Sequence, residues 1–368
     1  MPPTPRTRSP LAIRDIRFFA ATSTVSQRIA DATHDISDIN FVIAELELEN
    51  GTIGQGYLLA FHYFPRAIAG ALMDVAEFVK NYEVCETVKL AQDFATESEY
   101  FGHNGLLKWV LGVVNIAMWD AWGKTNGQPV WKMLGASRAD VPVYGSGGWL
   151  SYTDDELIDE VTRYQRRGFR AVKIKVGARE EGRDRHRLRI VREALGPDIA
   201  IMMDANQGLD VPAALKLANE AAAFDIRWFE EPINHTDFDG YQTLRARTAV
   251  SLAMGEREFD CAALKALIAR NAIDLWQPDI LRLGGVEPWR ESAALAHAHH
   301  LPVLPHYYKD YDVPLLCTIP NGRGAESFDW IDGLIDNPMQ IENGLARPRQ
   351  GAGWGFSFLP EKLHALTR

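Results

Sequence analysis

Three carboxylates recur at a constant interval in the second half of the chain. Asp204, Glu230 and Glu256 lie 26 residues apart, each at the end of a short apolar run of the kind that forms a β-strand. If these strands are parallel neighbours in a barrel, their carboxyl ends share one rim and the three side chains converge there. Oxygen ligands of this kind suit a hard divalent cation, most often Mg²⁺. The spacing therefore predicts a magnesium site, and the alternative is three separate salt bridges with arginines of the rim.

Two lysines interrupt the apolar run AVKIKVG at 171–177. Because side chains alternate along a strand, Lys173 and Lys175 point to the same face. An edge strand with a solvated lysine face is the ordinary interpretation of such a pattern. The functional interpretation is that repulsion between the two ammonium groups lowers the pKa of one, which then acts as a base near neutral pH. The other lysine stays charged and can hold the carboxylate of a substrate.

A further set of candidate residues lies on the strands expected after Glu256. A carboxylate such as Asp279 can orient the ring of His306 and stabilise its cationic form, and Glu326 follows on the next strand. A metal, a lysine base on one side and a His–Asp dyad on the other describe a site that removes a proton α to a carboxylate, with the metal stabilising the enediolate.

Eight short apolar runs position these residues. They begin 23 to 30 residues apart from residue 141 onward, and helical stretches separate them. The runs are VPVYGSGG at 141, AVKIKVG at 171, IAIMMDAN at 199, IRWFEEP at 226, LAMGE at 252, LWQPDI at 275, PVLPHYY at 302 and AESFDW at 325. This alternation predicts an α/β barrel of parallel strands. An open doubly wound sheet is the alternative, but no glycine-rich GxGxxG turn supports it.

The first third of the chain has a different pattern. FVIAELELENGTIGQGYLLA contains two strand-like runs around Asn50-Gly51, a pair typical of a tight hairpin turn. From about 66 to 135 the apolar residues recur at helical spacing. This part of the chain is therefore expected to form an α+β domain.

Composition excludes several classes of function. The 368 residues carry a formal net charge of −10, which gives no support to nucleic-acid binding. Cys85, Cys261 and Cys317 are far apart and form no CxxC pair, so neither a disulfide framework nor a thiolate zinc site is expected. The apolar run WVLGVVNIAMW is too short to span a bilayer. We expect a cytoplasmic protein without a membrane partner, preceded by a disordered tail or processing remnant at residues 1–11.

The ordered set of motifs resembles the mandelate racemase subgroup of the enolase superfamily, the mandelate racemase/muconate lactonizing enzyme family. The motifs are KIK at 173–175, DAN at 204–206, FEEP at 229–232, GE at 255–256, QPD at 277–279, the His of LPHYY and the Glu of AESFDW. Each motif is weak by itself, but the set is highly specific and the resemblance covers nearly the whole chain from about residue 12.

The resemblance implies a role for each candidate residue. It implies Mg²⁺ ligands at Asp204, Glu230 and Glu256, bases at Lys175 and His306, a carboxylate contact at Lys173, a dyad partner at Asp279 and a hydrogen-bond donor at Glu326. It implies a modified TIM barrel, (β/α)7β, at 137–334, an α+β capping domain at 12–136 and a C-terminal segment at 335–368 that returns to the capping domain. It also implies a homo-oligomer, for which an octamer is one candidate.

Departures from familiar family members concern the substrate. Arg257 follows the third ligand, where mandelate racemase has Asn. We expect Arg257 and Asn206 on the rim, and Arg28, His34 and His62 on two N-terminal loops, to contact a small anionic acid that is polar and hydroxylated.

Several reactions share this chemistry. The resemblance favours dehydration of an acid sugar, an aldonate or aldarate, to a 2-keto-3-deoxy acid. Racemisation or epimerisation of a 2-hydroxy acid and cycloisomerisation of a sugar lactone need the same acid and base. Two other classes are a Schiff-base aldolase, which also uses a barrel lysine but needs no three carboxylates, and a catalytically silent binding barrel, which the completeness of the residue set disfavours.

Overall fold

The computed structural model describes most of the chain, namely residues 8–25, 27–80 and 82–366. Most of the tail expected at residues 1–11 lies outside these ranges. The described end of the tail is attached, because the carbonyl of Pro10 accepts a hydrogen bond from the N–H of Asn50 at 3.1 Å. Within the described ranges, no helix has both the length and the apolar character that crossing a membrane requires.

An antiparallel sheet forms the N-terminal domain. Its strands are β1 (Ile13–Ser23), β4 (Ile39–Leu48), β5 (Ile53–Leu59) and β15 (His364–Ala365), in the order β15-β1-β4-β5, while β2 (Ile29–Ala30) and β3 (Asp35–Ile36) form a separate ribbon. The hairpin predicted at Asn50-Gly51 is confirmed, since β4 and β5 pair in antiparallel register on either side of it. Gly51 has a φ of 84°, a left-handed conformation that glycine adopts at little steric cost.

Helices cover one face of this sheet, as the helical spacing predicted. They are α1 (Pro65–Val79), α2 (Thr87–Glu97), α3 (Leu106–Thr125) and α4 (Val130–Met133), with a 3₁₀ turn at Glu99–Phe101. The apolar helix α3 lies directly on β5, where Gly54 and Gly56 leave room for it. A Cβ at Gly54 would overlap the carbonyl oxygen of Ala117, so the close approach of helix and strand requires glycine there.

The second half of the chain is the predicted α/β barrel. Its strands are β6 (Val141–Gly147), β7 (Ala171–Lys175), β8 (Ala200–Asp204), β9 (Ile226–Glu230), β10 (Ser251–Met254), β11 (Leu275–Trp276) and β12 (Ala325–Ser327). Strands β6 to β11 pair in parallel in sequence order, and β12 pairs in parallel with β6. Side chains from successive strands fill the interior, namely Tyr144, Met202, Trp228, Ala253, Leu275 and Leu304. The barrel is therefore a packed core, and its chemistry lies at the rim.

One predicted strand is almost absent. The run PVLPHYY contributes only isolated bridges at Val303, which joins Trp276 on one side and Gly322 on the other. Pro302 and Pro305 flank this residue, and proline has no N–H to donate to a sheet. The polypeptide still passes through the seventh position of the barrel, so His306 reaches the rim.

Helices alternate with the strands around the barrel. They are α5 (Asp154–Arg166), α6 (Arg183–Leu195), α7 (Val211–Ala221), α8 (Phe238–Arg247), α9 (Cys261–Ala269), α10 (Ile280–Leu283), α11 (Val286–Ala298) and α12 (Lys309–Leu316), with 3₁₀ turns at Ala222–Phe224, Asp332–Leu334 and Pro360–Lys362. Helix α5 begins with a capping box, in which Thr153 and Glu156 satisfy each other's backbone N–H groups.

The end of the chain contacts both domains. Strand β14 (Leu345–Ala346) pairs with β6 of the barrel and with β13 (Ile341–Glu342), and β15 pairs with β1 of the N-terminal sheet. The N–H of Phe358 donates to the side chain of Gln55 at 3.0 Å. The boundaries proposed at residues 136 and 334 stay predictions.

Candidate active site

Strand register sets three candidate residues side by side. Lys175 on β7 pairs in register with Asp204 on β8, which pairs with Glu230 on β9. Side chains in register on parallel strands point to the same side of the sheet, and all three of these are buried. The register therefore brings a lysine and two carboxylates to one part of the rim.

Both lysines are ion-paired. The Nζ atom of Lys173 lies 2.6 Å from Glu230, 2.7 Å from Glu326 and 3.6 Å from Asp204. The Nζ atom of Lys175 lies 2.6 Å from Asp204. The two lysines are therefore ion-paired, and the interpretation of β7 as an edge strand with a solvated lysine face is wrong.

The pKa values of the two lysines differ from the sequence prediction. Burial lowers the pKa of Lys173, but the carboxylates of Glu230 and Glu326 outweigh burial and hold this pKa well above its usual value. Burial and the charge of Lys173 lower the pKa of Lys175, but Asp204 together with Asp31 and Glu230 outweighs them and raises this pKa above its usual value. Repulsion by Lys173 does lower the pKa of Lys175, but the surrounding carboxylates outweigh it, so neither lysine has a pKa below its usual value in this arrangement.

The three predicted metal ligands have suitable donor chemistry. Within the described ranges, no three His, Cys, Asp or Glu side chains already surround one point as metal ligands. The ammonium of Lys173 instead lies among the oxygens of Asp204 and Glu230, while Glu256 lies 3.3 Å from Arg257. Burial raises the pKa of Glu230 to about 7. Buried carboxylate oxygens that already attract a cation fit a hard divalent ion, which would share them with the lysines.

The predicted His–Asp pair is formed. His306 Nδ1 lies 2.9 Å from Asp279, and the other oxygen of Asp279 caps α10 by accepting from the N–H groups of Leu281 and Arg282. His306 Nε2 is 3.6 Å from Glu256. Burial lowers the pKa of His306, but the charge of Glu256 and the hydrogen bond with Asp279 outweigh burial and raise this pKa to about 9.

Glu326 links the two halves of the site. One oxygen contacts Lys173, and the other accepts a hydrogen bond from the N–H of Tyr307 at 2.9 Å. Burial raises the pKa of Glu326, but Lys173 and His306 outweigh burial and lower this pKa to about 2. In this arrangement Glu326 is an acceptor, whereas the family resemblance implies a donor.

Glu231, which follows the predicted ligand Glu230, has a different partner. Glu231 accepts a hydrogen bond from Arg257 Nε at 2.9 Å, and one of its buried oxygens has no partner. Burial raises the pKa of Glu231 to about 8. Arg257 therefore bridges Glu231 and the predicted ligand Glu256.

A cavity of about 400 Å³ lies between the barrel rim and the N-terminal domain. It brings together many of the predicted site residues, namely Lys173, Lys175, Asn206, Glu256, Arg257, Asp279, His306, Glu326 and His34. Asp204 and Glu230 lie behind this surface, in contact with the two lysines. Arg28 and His62 are not on the wall: Arg28 is 68% exposed and pairs with Asp35, and His62 is exposed.

Several residues after the strand ends have unusual backbone conformations. Asn206, Glu231 and Tyr307 have φ values of 41°, 36° and 66°, a left-handed region that costs free energy for residues other than glycine. Each stands directly beside a predicted site residue or is one. The rim thus contains several strained positions, although Asp225, Asn271 and His300 at the opposite end of the barrel also have positive φ values.

Sequence reasoning missed part of the cavity wall. Asp31, Trp149, Arg282 and Trp330 all line it. Lys175 Nζ lies 5.3 Å from the ring centre of Trp149, within cation–π distance. Trp149 follows the first barrel strand, a position that could have suggested a rim residue, whereas no local pattern identifies Asp31.

A lysine, a histidine paired with a carboxylate and a set of metal-suited carboxylates around one cavity define the site of a metal-assisted acid–base enzyme. The family model described as Enolase C-terminal domain-like matches residues 156–362, and the chain belongs to this family.

Named relatives carry out related reactions. The chain is 28% identical over 334 residues to L-talarate/galactarate dehydratase of Salmonella typhimurium, covering 90% of this chain and 84% of the relative. It is 31% identical over 271 residues to D-galactarolactone cycloisomerase of Agrobacterium fabrum, covering 73% and 71%. The solved structure of the Salmonella dehydratase with Mg and L-lyxarohydroxamate matches with a TM-score of 0.90 at 26% identity, covering 98% of this chain and 95% of that chain.

Proposed function

We propose that the protein removes the proton α to the carboxylate of an acid sugar in a Mg²⁺-dependent reaction, and that dehydration to a 2-keto-3-deoxy acid follows. The observation that carries the proposal is the cavity, because Lys175 and the His306–Asp279 pair line it together with Glu256. The dehydratase among the relatives and its Mg-bound structure support the same reaction class.

Asp204, Glu230 and Glu256 are the residues proposed to hold Mg²⁺. When bound, the ion supplies positive charge that stabilises the enediolate formed as the proton leaves. Sharing Asp204 with a cation also weakens its attraction for the ammonium of Lys175, so that Lys175 can release a proton and act as a base. Lys173 is proposed to hold the substrate carboxylate.

His306 is the proposed general acid. Burial lowers the pKa of His306, but Glu256 and the hydrogen bond with Asp279 raise it to about 9 in the metal-free protein. When Glu256 is shared with Mg²⁺, Asp279 still favours the protonated ring. A protonated imidazole can give its proton to the departing β-hydroxyl group. Asp279 fixes the orientation of the ring and is itself fixed by the N-terminus of α10.

Cycloisomerisation of a sugar lactone is the second candidate. It uses the same acid and base but expels a ring oxygen in place of a hydroxyl group. The 31% identity to a D-galactarolactone cycloisomerase favours it over racemisation.

A screen of mono- and di-acid sugars with Mg²⁺, read out as 2-keto acid formation, tests the reaction class. We expect Lys175→Ala to stop exchange of the α-proton with deuterated solvent and His306→Asn to block formation of the 2-keto product, because the two groups have different tasks. Each effect should reach at least about 100-fold, the usual contribution of general acid–base catalysis.

Excess chelator should abolish turnover in the same assay. As a control, His235→Asn removes a histidine that lies off the cavity wall and pairs with Glu258. Near-normal turnover of both Lys175→Ala and His306→Asn would disprove the two-base mechanism, and full activity in chelator would disprove the metal requirement.

The protein is also proposed to form a homo-oligomer. Large apolar side chains are exposed on the N-terminal domain, among them Met73, Val88 and Tyr100, and such surface is typical of subunit contacts. Trp119 of α3 is buried and donates a hydrogen bond to Glu287, so this tryptophan serves the interior of the subunit. Sedimentation should give a mass of at least two chains, and a monomer at working concentration would contradict the proposal.

A further inference from the structure

A buried arginine on α6 holds the turn that follows the first barrel strand. The side chain of Arg187 is fully buried, and its Nη2 donates to the carbonyl of Gly148 at 2.5 Å and to that of Trp149 at 3.1 Å. Its Nε and Nη1 atoms have no hydrogen-bond partner among the residues that the structure describes. The contacts of this guanidinium there are therefore with the carbonyls of one turn.

The acidic side chains around Arg187 are engaged elsewhere. Asp154 pairs with Arg183 at 2.6 Å, and Glu160 accepts a hydrogen bond from the N–H of Gly148 at 2.5 Å. Burial, together with the charge of Arg183, lowers the pKa of Arg187 to about 10, so the guanidinium is still protonated at neutral pH. A buried cation without a close counter-ion costs stability.

The two carbonyls do not depend on Arg187 for a partner. The carbonyl of Gly148 also accepts from the N–H of Lys175 at 3.0 Å, and that of Trp149 accepts from the N–H of Tyr152 at 3.1 Å. Loss of the arginine would therefore leave both carbonyls with a donor, and the cost of its own unpaired N–H groups would disappear. The stability of the fold does not account for a guanidinium at this position.

Two helices hold the turn. From α5, Tyr164 donates to the carbonyl of Ser146 at 2.9 Å, and Glu160 accepts from the N–H of Gly148. Arg187 holds the turn from α6, the helix that follows β7. The arginine thus joins the turn after β6 to the strand and helix that come next in the barrel.

The turn touches Lys175 in two ways. The carbonyl of Gly148 accepts the backbone N–H of this lysine, and the ring centre of Trp149 lies 5.3 Å from its Nζ, within cation–π distance. A Cβ on Gly148 would lie 2.6 Å from the side chain of Ile174, so the turn packs directly against β7. A shift of the turn would therefore move the indole ring relative to the ammonium group.

We propose that Arg187 is a positioning residue, which holds the Gly148–Trp149 turn so that the indole ring keeps the ammonium of Lys175 in place. The inference rests on the proposed function, in which Lys175 takes the α-proton. Arg187 is not part of the cavity wall, so it acts on the reaction through the turn. A displacement of about 1 Å in a reacting group is enough to lower a rate by about 100-fold.

Arg187→Met removes the guanidinium and keeps an apolar side chain in the buried space. With an acid that the screen identifies as a substrate, kcat for α-proton exchange should fall at least about tenfold while KM changes less than about threefold, because the base is misplaced and the contacts with the substrate stay. Arg187→Lys keeps the charge and a donor and should recover part of the loss. The lysine variant also replaces the methionine variant if that one does not fold.

The matched control is Arg192→Met on the same helix. Its guanidinium also donates to backbone carbonyls, those of Phe224 and Ile199, but at the opposite end of the barrel. This variant should have a lower denaturation midpoint and an unchanged kcat. The denaturation midpoint of Arg187→Met should equal or exceed that of the wild type, and a lower midpoint with unchanged kcat would overturn the inference.

A double-mutant cycle shows whether Arg187 acts through Trp149. Trp149→Ala should itself lower kcat, and in that background Arg187→Met should change kcat by less than about twofold, because the ring that the arginine positions is gone. Losses that multiply independently in the double variant would contradict the positioning role.

Amide hydrogen exchange separates this inference from the proposed function. Arg187→Met should speed exchange of the Lys175 amide, whose acceptor lies in the turn, by at least about fivefold, and Arg192→Met should leave it unchanged. An unchanged rate in Arg187→Met would overturn the positioning role. Faster exchange of that amide, in a protein whose wild type turns over none of the screened acids, would disprove the proposed function alone.

Discussion

At the scale of single residues, the site is a cluster of buried charges that neutralise one another. Lys173 lies among three carboxylates, Lys175 pairs with Asp204, and Arg257 pairs with Glu231. Each charge would be costly if it were buried alone. The cluster is stable in the interior because its members supply one another's counter-charge, and a divalent cation held by the proposed ligands would redistribute those pairs.

Asp312 is a buried carboxyl group that does not belong to this cluster of paired charges. It is fully buried on α12, and neither of its oxygens has a hydrogen-bond partner. Burial, together with the negative charges of Asp279, Glu326 and Asp310, raises its pKa well above the ordinary value of 3.8. The folded state therefore holds this proton more tightly than the unfolded state does.

This linkage predicts a pH-dependent gain from Asp312→Asn. In the wild type, stability is lost as the pH rises above the unfolded pKa towards the folded pKa, because unfolding then releases the proton. Asparagine does not titrate, so the variant should gain about 1–3 kcal/mol at pH 7, with the gain shrinking towards pH 4.

Denaturant unfolding from pH 4 to pH 8 measures the effect. Asp198→Asn, at an exposed aspartate, is the matched control and should follow the wild type. A gain from Asp312→Asn that is constant over the whole pH range would show that titration is not its cause.

At the scale of elements, helix α12 connects His306, the proposed general acid, with the capping sheet. The Oη atoms of Tyr308 and Tyr311 accept hydrogen bonds from the N–H groups of Leu59 and Tyr57, at 3.0 and 2.8 Å. The donors Tyr57 and Leu59 are two residues apart on β5, so they lie on the same side of the strand. The acceptors Tyr308 and Tyr311 are three residues apart at the start of α12, so they lie on the same side of the helix. The two tyrosines thus close the free edge of β5 just before the loop that lines the cavity.

Removing either hydroxyl should destabilise the protein. Tyr308→Phe and Tyr311→Phe each leave a buried backbone N–H without an acceptor, which costs about 1–3 kcal/mol. Tyr82→Phe is the control, because its hydroxyl contacts Asp93 near the surface and water can replace it. Equilibrium unfolding that gives equal losses for all three variants would contradict the proposed closure of the edge.

At the scale of the whole molecule, the C-terminal segment holds the barrel and the capping sheet together. Arg349 Nη2 lies 2.6 Å from Asp310 on α12, whose other oxygen accepts from the hydroxyl of Tyr57 on β5. The ion pair is almost completely buried. One carboxylate thus joins the barrel, the capping sheet and the C-terminal segment.

Arg349→Met should be strongly destabilising, by about 3–5 kcal/mol, because it leaves a buried carboxylate without its counter-ion. The double variant Arg349→Met with Asp310→Leu should recover part of this loss by removing the charge as well. Lys216→Met, which breaks an exposed pair with Glu181, should change the unfolding free energy little. A loss from Arg349→Met no larger than that of the surface control would show that the pair does not join the domains.

The sequence by itself determined the barrel, its order of strands and most of the candidate rim residues. The alternation of side chains along a strand and the spacing of strands can both be read from the sequence. They predicted that the lysines of KIK and the carboxylates Asp204, Glu230 and Glu256 are neighbours, and the strand register brings Lys175, Asp204 and Glu230 together. The seventh strand was predicted as a strand but is reduced to bridges, since Pro302 and Pro305 each lack an N–H group to donate.

Only the tertiary structure decided the pKa values of the two lysines and which loop residues line the cavity. The raised pKa of each lysine is a sum over carboxylates from several strands, which no local pattern contains. Arg28 and His62 were expected at the substrate, but they lie off the cavity wall, and Asp31, Trp149 and Trp330 line it instead. Loop positions depend on contacts between residues far apart in the chain, and those contacts form only when the two domains pack together.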